Sequence, residues 1–138
     1  MKVVLDTNVI ISGLLWKSKT KALFDLADQK RITICLTAKI IAEVAKVLEY
    51  PKIKKKLNTV NSTTDEILNY LLQISQFYTG VSLKIKLTDS SDKIFLEAAY
   101  DSGAKYLITG DKHLLILKKF RSIKILKPEE FLNEINQG

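Results

Sequence analysis

Short β-branched runs alternate with stretches whose apolar residues recur at helical spacing along the whole chain. That alternation constrains the fold more than any other feature. Lys2-Val3-Val4-Leu5 reads as a buried strand ending at Asp6, and Thr7 to Leu15 as a short helix. Thr20 to Gln29 carries Ala22, Leu23, Leu26 and Ala27 as a stripe at 3.6 spacing, so it predicts a second helix. Ile32 to Leu36 is a strand. Thr37 caps a helix that runs to about Tyr50, where Pro51 stops it. Thr63 or Thr64 opens a helix whose stripe is Ile67, Leu68, Leu71, Leu72 and Ile74, ending near Gly80. Val81 to Leu87 alternates apolar and polar residues, which predicts an edge strand. Ser90 or Ser91 opens a helix through Ile94, Phe95, Ala98 and Ala99, stopped by Gly103. Tyr106 to Thr109 is a buried strand, Lys112 to Lys119 a helix and Ile123 to Leu126 a strand; Pro128 starts a terminal helix. Strand and helix alternating in this way predict an α/β fold, with a mostly parallel central sheet of four to five strands flanked by helices. The 138 residues make one domain, 1–138, with the last three residues frayed.

Composition closes off several classes. A single cysteine, Cys35, excludes an intrachain disulfide framework and a thiolate zinc cluster; between Ile34 and Leu36 it reads as a buried apolar residue. The apolar runs are too short to span a bilayer, and Asp6 interrupts the opening one, so neither a membrane anchor nor a signal peptide is expected and the protein is placed in the cytoplasm. Lys and Arg number 22 against 15 Asp and Glu, a net charge of +7 that favours a polyanionic partner.

The ligand site of an open parallel sheet lies outside the carboxyl ends of its strands. The first strand ends at Asp6-Thr7-Asn8 and the Tyr106 strand at Thr109-Gly110-Asp111. Asp89 and Asp92 flank the serines before the Ile94 helix, and Glu43 lies in the helix after the second strand. Carboxylates gathered at one sheet edge repel, and one would have to stay protonated unless a cation joined them. Oxygen donors without a suitable His or Cys set point to Mg²⁺ or Mn²⁺, which can activate water for phosphodiester displacement. Setting Asp6, Glu43, Asp92 and Asp111 aside leaves 22 basic against 11 acidic residues.

Four blocks carry a resemblance: Val3-Val4-Leu5-Asp6-Thr7-Asn8-Val9, Ile41-Ala42-Glu43-Val44, Asp89 through Ala98, and Tyr106 through Lys112. With Lys127-Pro128-Glu129-Glu130-Phe131-Leu132 they run in order across nearly the whole chain. The sequence resembles the PIN domains of bacterial and archaeal toxin–antitoxin pairs, the VapC-like ribonucleases. The resemblance implies a three-layer α/β/α fold and single-strand-directed, metal-dependent endoribonuclease activity leaving a 5′ phosphate and 3′ hydroxyl. It also implies Asp6, Glu43, Asp92 and Asp111 as the acids around Mg²⁺ or Mn²⁺, Asn8 and Thr109 as supporting polar residues, a cognate antitoxin and a homodimer. Two departures stand out. His113 sits where a further aspartate is usual, which removes one acid available to a second metal, and Ser90-Ser91 replace a common proline and polar residue.

Each residue also has a plainer reading. Asp111 could be a helix N-cap, Asp92 could offset a helix dipole, and Glu43 could pair with Lys39 or Lys46 on its own helix. Asn8 and Thr109 could satisfy backbone groups only. Asp89 reads as structural, and His113, the one histidine, as a solvated surface residue. Trp16 could pack a dimer interface or stack a base. Lys52, Lys54, Lys55 and Lys56, following Pro51 at a helix end, form either a solvated face or a track for a phosphate backbone. Only two of the 22 basic residues are arginine, so forked base-reading contacts are scarce. The alternative function is a catalytically inactive nucleic-acid-binding domain of the same fold. A phosphotransfer enzyme fits poorly, because Asn8 stands where an Asp-x-Asp nucleophile motif needs an acid.

Overall fold

The computed structural model describes residues 1–16, 18–84 and 92–136. Four buried runs build the middle of the sheet: β1 (Lys2–Leu5), β2 (Thr33–Leu36), β4 (Tyr106–Ile108) and β6 (Ile123–Leu126). Two short strands, β3 (Ser75–Phe77) and β5 (Lys119–Phe120), close its edges, giving six strands among the described residues in the order β3-β2-β1-β4-β6-β5. All pairings are parallel except β5 with β6. Between and after the strands run α1 (Thr7–Leu15), α2 (Lys21–Asp28), α3 (Ala38–Leu48), α4 (Pro51–Thr59), α5 (Thr64–Ile74), α6 (Lys93–Ser102), α7 (Lys112–Leu115) and α8 (Pro128–Asn136).

Val3, Val4, Ile34, Leu36, Leu107 and Ile108 are all fully or almost fully buried, as a parallel sheet covered by helices requires. Helix α6 lies across β1, β2 and β4, while α1 packs on α2 and α3. Gly13 permits the closeness of α1 and α2, since a Cβ there would stand 2.4 Å from the Phe24 ring. Gly103 ends α6 in a left-handed turn, φ 72°, which glycine adopts without steric cost. Helix α8 is fastened by the edge-to-face contact of Phe131 with Tyr106, ring centroids 5.1 Å apart. No described helix is long and apolar enough to cross a membrane.

Three expectations need correction and a fourth is extended. The helix capped by Thr37 ends at Leu48, just before Pro51 as expected, but Pro51 also opens a further helix, α4, where its missing N–H costs nothing. The helix capped by Thr63 ends at Ile74 rather than near Gly80, and the chain then enters β3 in register with β2. No strand occupies 81–84, and 85–87 lie outside the described residues, as do Asp89, Ser90 and Ser91. The helix expected to reach Lys119 stops at Leu115, because Lys119 and Phe120 pair with Lys124 and Ile123 in a hairpin. At the C-terminus α8 extends to Asn136, while 137 and 138 lie outside the described residues.

The strand order reverses at β1: the chain passes from β1 outward through β2 to β3, then returns to place β4 on the other side of β1. The crevice beyond the carboxyl ends of β1 and β4 is therefore where an open parallel sheet forms a site.

Candidate active site

A pocket of about 220 Å³ opens at that crevice, lined by Asp6, Thr7, Asn8, Glu43, Val47, Asp92, Phe95 and Asp111. Asp6 comes from the end of β1 and Asp111 from the end of β4, two positions held side by side by the pairing of Leu5 with Ile108. Glu43 is delivered by the second turn of α3, and Asp92 by the start of α6.

The first and last of these acids are tied together. Asp6 is 6% exposed and caps α1, its Oδ1 accepting from Val9 N–H at 2.8 Å. Its Oδ2 accepts from the hydroxyl of Thr109, a fully buried residue. Thr109 Oγ1 in turn accepts from Asp111 N–H at 2.9 Å, and Asp111 Oδ1 accepts from His113 N–H at 2.7 Å. One buried hydroxyl thus fixes the spacing of both strand-end aspartates. Burial pushes the Asp6 carboxyl above the usual carboxylate range. Hydrogen bonds from Thr109, Val9 and Gly110 oppose the rise, and the Asp111 charge adds to it.

Two polar atoms in the pocket lining, Thr7 Oγ1 and Glu43 Oε2, are buried without a hydrogen-bond partner among the described residues. Such atoms carry a cost unless something polar meets them. The lining offers carboxylate, hydroxyl and amide oxygens and neither a cysteine nor the lone histidine, the donor chemistry of a hard divalent cation. Among the described residues no three His, Cys, Asp or Glu side chains converge as a finished metal cage. On donor type and unsatisfied atoms the residues fit such an ion.

Residues 2–113, most of the chain and every acid of the pocket, match the family model for the PIN domain. The chain belongs to the PIN-domain family. This PIN domain is 30% identical to the uncharacterized protein MJ1680 of Methanocaldococcus jannaschii over 153 aligned positions, covering 99% of this chain and 93% of that protein. Among solved structures it is similar to VapBC2 of Rickettsia felis bound to a DNA fragment from its promoter. The TM-score there is 0.60 at 16% identity, covering 91% of this chain and 97% of that one. It is also similar to the PIN domain of human SMG5, with a TM-score of 0.54 at 12% identity and coverage of 97% and 98%. The fold is a PIN fold.

Other expected residues of the PIN domain find different places. Asn8 is exposed at the pocket rim. His113 is exposed, outside the pocket lining, and touches the site through its backbone N–H. Glu43 forms no ion pair with Lys39 or Lys46 among the described residues; Lys39 instead faces Glu97, 3.8 Å away. Lys52, Lys54, Lys55 and Lys56 lie on α4, away from the pocket lining, and Lys54 is taken up by Glu49 at 3.0 Å. Cys35 is buried in β2.

One buried acid went unread in the sequence. Glu97 is 5% exposed, and its Oε2 accepts from Leu83 N–H at 2.8 Å. One turn later Asp101 accepts from Gly80 N–H at 2.8 Å. Together these acids pin the 80–83 segment onto α6, the helix that begins beside Asp92. The available signal was the charge inside Phe95-Leu96-Glu97-Ala98-Ala99, an otherwise unbroken apolar stretch.

Proposed function

We propose that this chain is a metal-dependent endoribonuclease, acting in the cytoplasm as the toxin of a toxin–antitoxin pair. The observation that carries the reading is the meeting of Asp6, Glu43, Asp92 and Asp111 in one pocket at the strand-order reversal of a PIN fold. The surface balance supports it, because the acids of the pocket are set in a chain of net charge +7.

Asp6, Asp92 and Asp111 would hold Mg²⁺ or Mn²⁺, with Glu43 completing the acidic wall. When bound, the ion supplies Lewis-acid stabilisation of charge on the phosphoryl oxygens and acidifies nearby water. Thr109 keeps Asp6 and Asp111 at fixed separation by donating to the first and accepting from the backbone of the second. Glu43, with Oε2 unengaged among the described residues, orients the attacking water and accepts its proton. The water oxygen bonds to phosphorus as the bond to O3′ breaks. The proton balance ends on that O3′, leaving a 3′ hydroxyl and a 5′ phosphate. Val47 and Phe95 supply the apolar part of the pocket lining. The likeness to a VapBC2 assembly supports a protein antitoxin as partner; the working form we propose is a homodimer.

Incubating purified protein with RNA and Mn²⁺, then sequencing the new ends, tests the reading. Cleavage with 5′-phosphate ends is expected, abolished by EDTA and reduced on the order of 100-fold or more by Asp6→Asn. RNA that is bound by metal-replete wild type and stays intact would overturn it in favour of a binding domain.

A further inference from the structure

Away from the pocket, at the other end of α1, one aromatic ring sits beside the most basic helix of the chain. Trp16, the sole tryptophan, caps the C-terminus of α1 and is half-buried. The turn after it is tied back onto α1: Thr20 donates to Ser12 at 3.2 Å, and Ser12 and Ser18 hydroxyls lie 3.3 Å apart. The ammonium of Lys56 from α4 stands over the indole, 5.4 Å from the ring centroid.

Helix α4 carries four lysines and no acid in nine residues, with only Leu57 buried. Lys55 and Lys56 lie three and four positions after Lys52 and share its face of the helix. None has a carboxylate within 4 Å among the described residues, whereas Lys54 on the adjoining face is paired with Glu49. Unneutralised lysines at one ridge repel each other unless an anion spans them. A ring held beside such a ridge is the arrangement by which proteins take single-stranded nucleic acid without reading base edges: lysines follow phosphates and the ring stacks a base. The scarcity of arginine agrees with recognition of this kind.

We infer that Trp16 and the Lys52–Lys55–Lys56 face of α4 form a stacking site for single-stranded RNA, separate from the acidic pocket. The inference rests on the ribonuclease reading and names how its substrate is gripped. Helix α1 links the two places, Asp6 capping one end and Trp16 the other, about 15 Å apart along the axis. That distance is a few nucleotides of extended strand, so a base stacked on Trp16 sets which phosphodiester reaches the pocket. The Lys56 contact is the weaker of the two interactions available to the ring, since a cation over a part-exposed indole is worth less than base stacking. An arriving base therefore displaces the ammonium, which moves to the adjoining phosphate.

Because Trp16 is the only tryptophan, its emission reports the site directly. Asp6→Asn protein, its fold checked by melting, is titrated with oligouridylate and with an abasic strand of equal length, following emission and anisotropy together. Oligouridylate is expected to quench Trp16 and the abasic strand to leave it unchanged. Adding Trp16→Ala should weaken oligouridylate binding roughly tenfold, while Trp16→Phe should retain most of the affinity. Lys52→Gln with Lys55→Gln should flatten the salt dependence of binding. Binding with unchanged emission, and with Trp16→Ala as tight as its parent, overturns the stacking site. Wild-type cleavage measured in parallel separates the two readings. Cleavage with a silent tryptophan removes only the stacking site. Quenching without cleavage leaves that site and removes the nuclease. Neither binding nor cleavage removes both.

Discussion

Glu43 on α3 and Glu97 on α6 are both set among apolar residues, yet their surroundings differ. Both carboxylate oxygens of Glu97 are engaged, one by Leu83 N–H and the other by Lys39. Glu43, four residues beyond Lys39 on the same helix, keeps Oε2 buried and unpartnered among the described residues. The lysine that would have neutralised Glu43 is thus spent on a neighbouring helix. A carboxylate satisfied by protein groups has its desolvation offset within the fold, whereas an unsatisfied one carries that cost uncompensated, which supports the proposed role of Glu43 in the pocket. Asp6 stands between these cases: both its oxygens accept hydrogen bonds, and burial still raises its affinity for a proton.

The contrast is broken most easily by exchanging the consequences. Asp92→Asn should cut RNA cleavage on the order of 100-fold or more while the melting temperature of the metal-free protein stays near that of wild type. A large stability loss with proportionate activity loss would make Asp92 structural. Glu97→Ala should do the reverse. Leaving Leu83 N–H without its charged acceptor costs about 2 kcal/mol in denaturant unfolding. Once folded, that variant should retain metal binding; Glu97→Gln, which can still accept from Leu83, should lose less stability.

A smaller effect sharpens the intermediate case. Thr109→Val removes the hydroxyl that spaces Asp6 and Asp111, so cleavage should fall roughly tenfold and the metal concentration for half-activity should rise. Added metal should recover part of the rate, which it would not do if Thr109 only filled the core. The smallest effect is in pH. With the native Asp6 pKa raised, its contribution to metal-free stability is fully present below the ordinary unfolded value near pH 4 and is lost as pH rises through the native value. Asp6→Asn should therefore melt progressively higher than wild type as pH rises from about 4. Saturating Mg²⁺ should narrow the gap, because it stabilises the ionised form. A gap that is constant with pH would show that Asp6 does not titrate in this way.

The sheet centre was legible because β1, β2, β4 and β6 are buried β-branched or aliphatic runs, and Asp6 and Asp111 follow two of them directly. The edges were not. Ser75-Gln76-Phe77 follows the helical stripe of α5 with no change of period, and Phe77 points outward. Lys119-Phe120 is too short to show a period at all. Helix α4 was hidden because only Leu57 is buried, so its sequence reads as a charge run after a proline. Within the site, spacing along the chain marked the four acids but could not tell which lysine neutralises which glutamate. Lys39 lies four residues from Glu43, a common helical partner, and the tertiary approach of α6 draws it to Glu97 instead. Thr109 was visible as a polar strand end; its bridging role depends on the β1–β4 register, which no local pattern contains.

Titration of Mn²⁺ into RNA-free protein by calorimetry addresses the divided roles of these acids most directly. Saturable binding is expected for wild type and for Glu97→Gln, and its loss for Asp6→Asn and Asp92→Asn. Absent binding in wild type, or equal binding in all four proteins, would contradict the assignment of the pocket as a metal-dependent nuclease centre.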